Sequence, residues 1–120
     1  MATTDLTVQT IEETIKGNDI VLIDFWADWC GPCKRFAPVF EASAEANPDI
    51  VHAKVDTEAE GQLAAEFQIT SIPTLMAFRE GVLVFNQAGA LPAQSLAQVV
   101  DAVRALDMDD VRRQIAEARS

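Results

Sequence analysis

The chain has 120 residues, which is the size of one small domain. Hydrophobic residues make up 49% of it and charged residues 23%, which excludes a disordered chain and a membrane-embedded one. Nine lysines and arginines stand against 19 aspartates and glutamates, so the net charge is −10. A chain this acidic is poorly suited to nucleic acid or an anionic membrane surface, because both bind clustered basic residues.

The amino-terminal segment lacks the features of a targeting signal. Residues 1–9 have neither a basic start nor an apolar core, and the longest apolar stretch, residues 20–27, is interrupted by Asp24. That stretch is far shorter than the roughly 20 residues of a membrane span. We therefore expect a soluble, cytoplasmic protein, in which a close pair of cysteines is more often catalytic or metal-binding than structural.

Four elements are predicted in the first half of the chain. Thr10 and Glu13 have the spacing of a capping box and predict a short helix with Ile11 and Ile15 on its apolar face. Residues 20–26 are a continuous apolar run, which predicts a strand buried on both faces, as in parallel sheets. A helix containing Pro38 is predicted over residues 33–47, and a strand over residues 50–55.

The second half predicts a helix, a hairpin and a closing helix. Residues 58–67 carry Leu63 and Phe67 at helical spacing. Residues 74–78 and 82–85 predict two strands joined as a hairpin through residues 79–81. The closing helix opens at Pro92 and carries Leu96 and Val100. Alternating strands and helices followed by a hairpin predict a single α/β domain with a mixed sheet.

The chemistry is concentrated at Cys30 and Cys33, which flank Gly31 and Pro32 between a predicted buried strand and a predicted helix. One helical turn brings the two sulfurs into bonding range. The first cysteine would lie at the helix N-terminus, where unpaired N–H groups and the macrodipole stabilise a thiolate and lower the pKa of the thiol. Pro32 suits the first helical turn, and Gly31 leaves room for a partner disulfide. Lys34 and Arg35 add positive charge nearby, so the pattern favours redox catalysis.

Two other interpretations of the cysteine pair are weaker. A structural zinc site needs about four ligands, and the cysteines and histidines of this chain are Cys30, Cys33 and His52 alone. His52 falls in a predicted strand and is interpreted as a strand residue without a catalytic role. An inert structural disulfide would need an oxidising compartment and normally spans a longer loop. We therefore expect no metal site.

Residues 21–38 resemble the thioredoxin family, with DFWA at 24–27, WCGPCK at 29–34 and Pro38 in the following helix. The resemblance continues through AKVD at 53–56, SIPTL at 71–75 and GAL at 89–91, and it covers about residues 6–106. It implies a thioredoxin fold, in which a mixed five-stranded sheet is flanked by four helices. We expect residues 1–106 to form that domain.

The resemblance also implies the reaction. Members reduce disulfides in client proteins by dithiol–disulfide exchange, with no bound cofactor other than the reversible Cys30–Cys33 disulfide. An NADPH-dependent flavoprotein, thioredoxin reductase, recycles them, and peroxiredoxins and ribonucleotide reductase are typical clients of these monomers. Two alternatives stay open: an electron donor dedicated to one client, and a binding module that acts regardless of redox state.

Residue roles follow from the matching positions. Cys30 is expected to be the attacking thiolate and the more exposed cysteine, and Cys33 the resolving thiol. Asp24, a carboxylate in an apolar strand, is expected to accept the Cys33 proton, with Lys54 as its partner; the alternative is a structural buried ion pair. Pro73 matches a cis-proline that holds the substrate, although a turn proline is the alternative. The positions expected to bind substrate are Trp29, Gly31, Pro32, Ile72, Pro73, Gly89 and Ala90. Trp26 fits docking or plain core equally well.

Residues 107–120 extend past the usual end of the family. Asp107 can cap a helix whose apolar stripe comprises Met108, Val111, Ile115 and Ala118. We expect this extension to be a short helix whose apolar stripe docks on the domain or on a second chain; a disordered tail is the alternative.

Overall fold

The computed structural model describes residues 2–119 and contains a five-stranded sheet with five helices. In chain order the elements are β1 Thr4–Asp5, α1 Ile11–Gly17, β2 Ile20–Trp26, α2 Gly31–Ala46, β3 Val51–Asp56, α3 Gly61–Glu66, β4 Thr74–Arg79, β5 Val82–Ala88, α4 Ala93–Arg104 and α5 Met108–Ala118. The strand order is β1-β3-β2-β4-β5. Strands β1, β3 and β2 pair in parallel, whereas β4 and β5 are antiparallel to their neighbours. The predicted mixed-sheet fold is confirmed.

Strand β2 is central because almost all of it is apolar and buried. Successive side chains of a strand point to opposite faces of the sheet. Ile23 and Phe25 pack on one face in the core cluster that contains Ile11, Ile15 and Leu63 of α1 and α3. On the other face, the cluster around Leu22 comprises residues from α2 and α4, including Phe36, Phe40, Leu96 and Val100. The sheet therefore separates two cores, and the α2 core is the one beside the cysteines.

Several predicted element boundaries were wrong. Helix α2 begins at Gly31, ahead of the predicted start at residue 33, and α3 begins at Gly61 rather than residue 58. The predicted capping box is also wrong, because the Thr10 side chain does not cap α1 and accepts instead from the Thr7 N–H, at 3.0 Å. Strand β1 was missed by the residue pattern; its two residues are exposed and polar, so they carry no apolar alternation.

The predicted hairpin between β4 and β5 is confirmed and has a two-residue turn. Glu80 and Gly81 both have positive φ, 52° and 80°. That combination matches the mirror-image turns that fit the right-handed twist of paired strands. The hairpin turn also contacts the carboxy-terminal extension, since Arg112 forms an ion pair with Glu80 at 2.7 Å.

The extension forms α5, which confirms the helix predicted there. Asp107 caps it by accepting from the Asp110 N–H at 3.2 Å, and Met108 is buried. Arg79 of β4 holds the preceding segment, because one of its guanidinium nitrogens lies 2.8–3.1 Å from the carbonyl oxygens of Val103, Arg104 and Leu106. Between residues 2 and 119, no helix is both long and apolar enough to cross a membrane.

Candidate active site

Cys30 occupies the N-cap of α2, and a disulfide joins it to Cys33 in the first turn. The Cys33 N–H donates to Cys30 Sγ at 3.2 Å, so one of the unpaired amides of the helix start already points at this sulfur. The same amide and the positive end of the helix macrodipole would stabilise a thiolate on Cys30 after reduction. The prediction that the first cysteine lies at the helix N-terminus is confirmed.

The two cysteines are equally covered. Each is 3% exposed, and both pack in a cluster with Ala27, Trp26 and Ile72. The expectation that Cys30 is the more exposed cysteine is therefore wrong for the disulfide form, because Cys30 Sγ lies against the Ile72 backbone, 3.7 Å from its carbonyl oxygen. The two residues between the cysteines, Gly31 and Pro32, are exposed.

The loop that faces the cysteines contains a cis peptide bond between Ile72 and Pro73, as the resemblance implied. Pro73 is buried, and its carbonyl oxygen accepts from the Gly89 N–H at 2.8 Å. Gly89 has φ of 105°, a conformation that other residues rarely adopt. Ala90 follows it at the surface. The structure thus brings the 72–73 and 89–90 segments together beside the cysteine pair.

Asp24 lies inside the sheet, near the end of β2 from which the chain continues to α2. It is on the same face of β2 as Leu22, the face against which α2 packs, and its exposed fraction is 0%. Neither carboxyl oxygen has a hydrogen-bond partner among residues 2–119. Burial raises the pKa of Asp24 to about 7, and the positive charge of Lys54 acts in the opposite direction. The carboxyl group therefore gains and loses a proton near neutral pH.

Lys54 is the register partner of Asp24 on the neighbouring strand β3, yet its ammonium group does not pair with the carboxyl group. Among the residues that the structure describes, no ion pair or hydrogen bond links them. The Lys54 ammonium instead lies 4.9 Å from the ring centroid of Trp26, a cation–π distance. The alternative of a structural buried ion pair therefore lacks the contact it requires.

The two tryptophans have different environments. Trp29 is 69% exposed, and its indole N–H donates to Glu58 Oε1 at 3.2 Å. Trp26 is half-buried against the cysteine cluster and belongs to the core. Glu58 was not singled out from the sequence. The fold topology could have indicated it. Trp29 follows β2 and Glu58 follows β3, and segments that follow the ends of two neighbouring parallel strands lie side by side.

His52 is a structural residue, as predicted. It is 1% exposed and packs on Phe40, with ring centroids 5.1 Å apart. Its Nδ1 lies 3.1 Å from the Ile50 carbonyl oxygen, which only accepts, so Nδ1 carries the proton. Nε2 then accepts from the Ser43 hydroxyl at 2.9 Å. Within residues 2–119 no group of three or more histidine, cysteine and acidic side chains is placed to hold a metal ion.

Comparison with known proteins finds one family and many related structures. The family model described as Thioredoxin matches residues 2–102. A Streptomyces coelicolor protein provisionally named thioredoxin 2 is 56% identical over 119 residues, covering 99% of this chain and 89% of that protein. A mutant thioredoxin from Halobacterium salinarum superposes with a TM-score of 0.81 at 33% identity, covering 88% and 93% of the two chains. A chain from a study of thiol resolution in yeast mitochondrial 1-Cys peroxiredoxin by the glutathione and thioredoxin systems has a TM-score of 0.77 at 32% identity, covering 83% and 94%.

Proposed function

This chain belongs to the thioredoxin family and is a thiol-disulfide oxidoreductase, and we propose that Cys30 attacks client disulfides and Cys33 resolves them. The observation that carries this assignment is the position of Cys30 at the N-cap of α2, where the Cys33 N–H already donates to its sulfur. The thiolate is the nucleophilic form of cysteine, and helix N-termini favour it. Cys33 lies in the first turn of α2, within bonding distance of Cys30, so it can attack Cys30 in a mixed disulfide.

The reaction consists of two thiol–disulfide exchange steps. The Cys30 thiolate bonds to one client sulfur, the client disulfide breaks, and the second client sulfur leaves as a thiolate that takes up a proton. Cys33 then loses its proton and attacks Cys30, the mixed disulfide breaks, and the reduced client departs. The protein ends as the Cys30–Cys33 disulfide, the form that the structure contains.

Asp24 is the proposed acceptor of the Cys33 proton. Its carboxyl group is buried on the α2 face of the sheet, and none of the described residues forms a hydrogen bond that would stabilise its charge. Because burial raises its pKa to about 7, a large fraction is ionised at neutral pH and can take a proton. The positive charge of Lys54, which lies over the Trp26 ring, lowers the pKa of Asp24.

The client chain is proposed to bind across the cis-proline loop and the end of β5. Trp29, Gly31, Pro32, Gly89 and Ala90 are exposed around the disulfide, and Ile72 is half-buried beside it. These residues offer apolar contact area, which is typical of a docking surface. The backbone of residues 72–73 would pair with an extended client segment by strand-like hydrogen bonds.

The proposed electron source is an NADPH-dependent flavoprotein thioredoxin reductase, and the proposed clients are peroxiredoxins and ribonucleotide reductase. The similar chain from the structural study of yeast mitochondrial 1-Cys peroxiredoxin supports peroxiredoxins as clients. A disulfide reductase needs a compartment that keeps thiols reduced, so we propose that the protein acts in the cytoplasm. We also propose that it acts as a monomer.

Insulin reduction coupled to NADPH and a bacterial thioredoxin reductase tests this function. The wild type should consume NADPH catalytically, and the Cys30→Ser, Cys33→Ser double variant should not. Cys33→Ser alone should form covalent client adducts that reductant removes, because its mixed disulfides cannot resolve. Adducts with Cys30→Ser instead would reverse the two roles, and full function in the double variant would favour a binding module.

A further inference from the structure

Most cations of this acidic chain are neutralised by a partner, but those beside the disulfide are not. Five of the nine lysines and arginines pair with carboxylates: Lys16, Arg79, Arg104, Arg112 and Arg113. Lys54 lies over the Trp26 ring. Over residues 2–119, the remaining cations, Lys34, Arg35 and the terminal Arg119, have no carboxylate within ion-pair distance.

The sequence explains why Lys34 and Arg35 stay unpaired. On a helix, a side chain reaches the residues three and four positions away. For these two residues of α2 those positions hold only cysteine, glycine, proline, alanine and valine, at 30, 31, 32, 37, 38 and 39. No carboxylate of their own helix can therefore neutralise them, and both side chains are exposed.

The Arg35 guanidinium lies at the rim of the reactive site. Its Nη1 is 3.6 Å from the position that a Cβ on Gly31 would occupy. The side chain therefore folds back along α2 over Gly31, one of the two residues between the cysteines. Gly31 is exposed and follows Cys30 directly, and its lack of a side chain gives the guanidinium room. A client segment that contacts Gly31 therefore lies next to this positive charge.

We propose that Arg35, assisted by Lys34, is a specificity-determining residue that favours disulfides flanked by acidic side chains. This inference rests on the proposed disulfide-reductase function and names the chemical class of its preferred clients. Arginine suits the role because its planar guanidinium binds a carboxylate with two parallel hydrogen bonds.

The net charge of −10 opposes acidic clients at long range, but screening limits that repulsion. At physiological ionic strength the Debye length is about 8 Å, so a carboxylate next to Gly31 senses Arg35 and Lys34 more than the distant acidic surface. Exposed ion pairs change equilibria by about 1.4- to fivefold, and we expect a rate effect of that size per client charge.

Three small disulfides of different charge test the proposal. Fully reduced protein is mixed with an excess of oxidised glutathione, which is anionic, cystamine, which is cationic, or bis-hydroxyethyl disulfide, which is neutral. Each reaction converts the dithiol to the Cys30–Cys33 disulfide and the reagent to two thiols, and tryptophan fluorescence follows the rate. For Arg35→Gln, we expect the rate relative to wild type to fall about two- to fivefold with glutathione disulfide, rise similarly with cystamine, and stay unchanged with the neutral reagent.

Matched controls separate local from global charge. Arg113→Gln on α5 makes the same change in net charge at an arginine paired with Asp110 and Glu117, and should not alter the ratios. Arg35→Lys keeps the charge but loses the paired hydrogen bonds, so it should retain part of the preference. About 1 M salt should abolish the preference, because the Debye length falls to about 3 Å.

Each remaining outcome contradicts the proposal. Equal slowing of all three disulfides would show that Arg35 acts on the reactivity of the Cys30 thiolate rather than on specificity. Unchanged rates would show that it does neither. A wild type that reduces none of the reagents would overturn the reductase function together with this inference, whereas reduction without charge preference would overturn only the inference.

Discussion

Asp24 and His52 are both titratable side chains buried in the same face of the sheet, yet their surroundings differ in kind. They lie on neighbouring strands, where His52 pairs in register with Leu22 and Asp24 with Lys54. His52 has a hydrogen bond on each ring nitrogen and an aromatic neighbour. The Asp24 carboxyl group has no hydrogen-bond partner in the part of the chain that the structure describes.

The difference shows how to separate a structural buried polar group from a functional one. A buried polar group that is fully hydrogen-bonded costs little, so His52 is explained by stability alone. A buried carboxyl group without partners destabilises the fold whenever it is ionised, so stability does not explain Asp24. The proposed role as acceptor of the Cys33 proton would explain its presence, because Asp24 lies on the face of the sheet that α2 covers.

The largest expected effect is on the pH dependence of stability at Asp24. Its folded-state pKa of about 7 lies above the ordinary value of 3.8, so the folded state binds the extra proton and wild-type stability falls as pH rises between those values. The corresponding free energy is about 4 kcal/mol. The stability of Asp24→Asn relative to wild type should rise by about that amount from pH 4 to pH 9 in denaturant titrations. A difference that stays constant with pH would mean that the Asp24 carboxyl group is not perturbed.

The next effect is at His52, whose contribution to the stability of the fold changes with pH in the opposite direction. Burial lowers the pKa of His52, so its contribution to stability is present above the unfolded-state pKa of about 6.5 and is lost as pH falls below it. His52→Ala should lose about 2–4 kcal/mol of stability at pH 8, through the cavity and the lost hydrogen bonds. Ser43→Ala, which removes one of those bonds, should lose about 1 kcal/mol. Insulin turnover at a temperature where both variants are folded should be unchanged; a large loss in His52→Ala would give this residue a functional role.

Deletion of α5 is a control. It should lower the overall stability but leave unchanged the pH dependence of stability that Asp24 and His52 contribute. A chain that ends at Leu106 loses the burial of Met108 and the Arg112–Glu80 ion pair. We expect a cost of about 1–2 kcal/mol after the entropy of ordering the helix is offset, with nearly full insulin reduction. Urea unfolding and NADPH-coupled assays measure the two quantities. A folded but inactive shortened chain would show that α5 takes part in docking a client or the reductase.

The smallest expected effect is at Lys54, which influences Asp24 through its charge. Its positive charge lowers the pKa of Asp24, so Lys54→Met should shift the pH midpoint of turnover upward. The rate at pH 7 should fall by about twofold, because less of the carboxyl group is ionised, and recover at higher pH. Lys16→Met, which removes an exposed lysine paired with Glu12, is the matched control and should leave the midpoint unchanged.

The sequence predicted the elements whose signals are local and strong. The apolar run of β2, the cysteine pair at the start of α2, the β4–β5 hairpin and the Asp107-capped helix are confirmed. It missed β1, because two exposed polar residues become a strand only through pairing with β3. Asp24 was conspicuous as a charge in an apolar strand, but only the fold shows that Lys54 is turned to Trp26 instead of bonding to it.

Other parts of the site depend on contacts between distant segments. Glu58 reaches Trp29, and Arg79 binds the end of α4, through topology that no local pattern encodes. The cis bond before Pro73 matched the family resemblance, although X–Pro sequence alone does not distinguish it from the trans form. Equal burial of the cysteines also depends on a distant segment, the backbone of Ile72.

Proton transfer from Cys33 to Asp24 is tested most directly by separating the two exchange steps. Reduced protein is mixed rapidly with an aromatic disulfide whose thiolate product is coloured, so that the first equivalent of colour reports Cys30 attack and the second reports resolution by Cys33. In the wild type, the rate of the second phase should rise with pH through a midpoint of about 7. In Asp24→Asn, that phase should slow by on the order of 100-fold at pH 7 while the first phase is nearly unchanged. Slowing of both phases to the same extent, or of neither, would contradict the assignment of Asp24 as the proton acceptor.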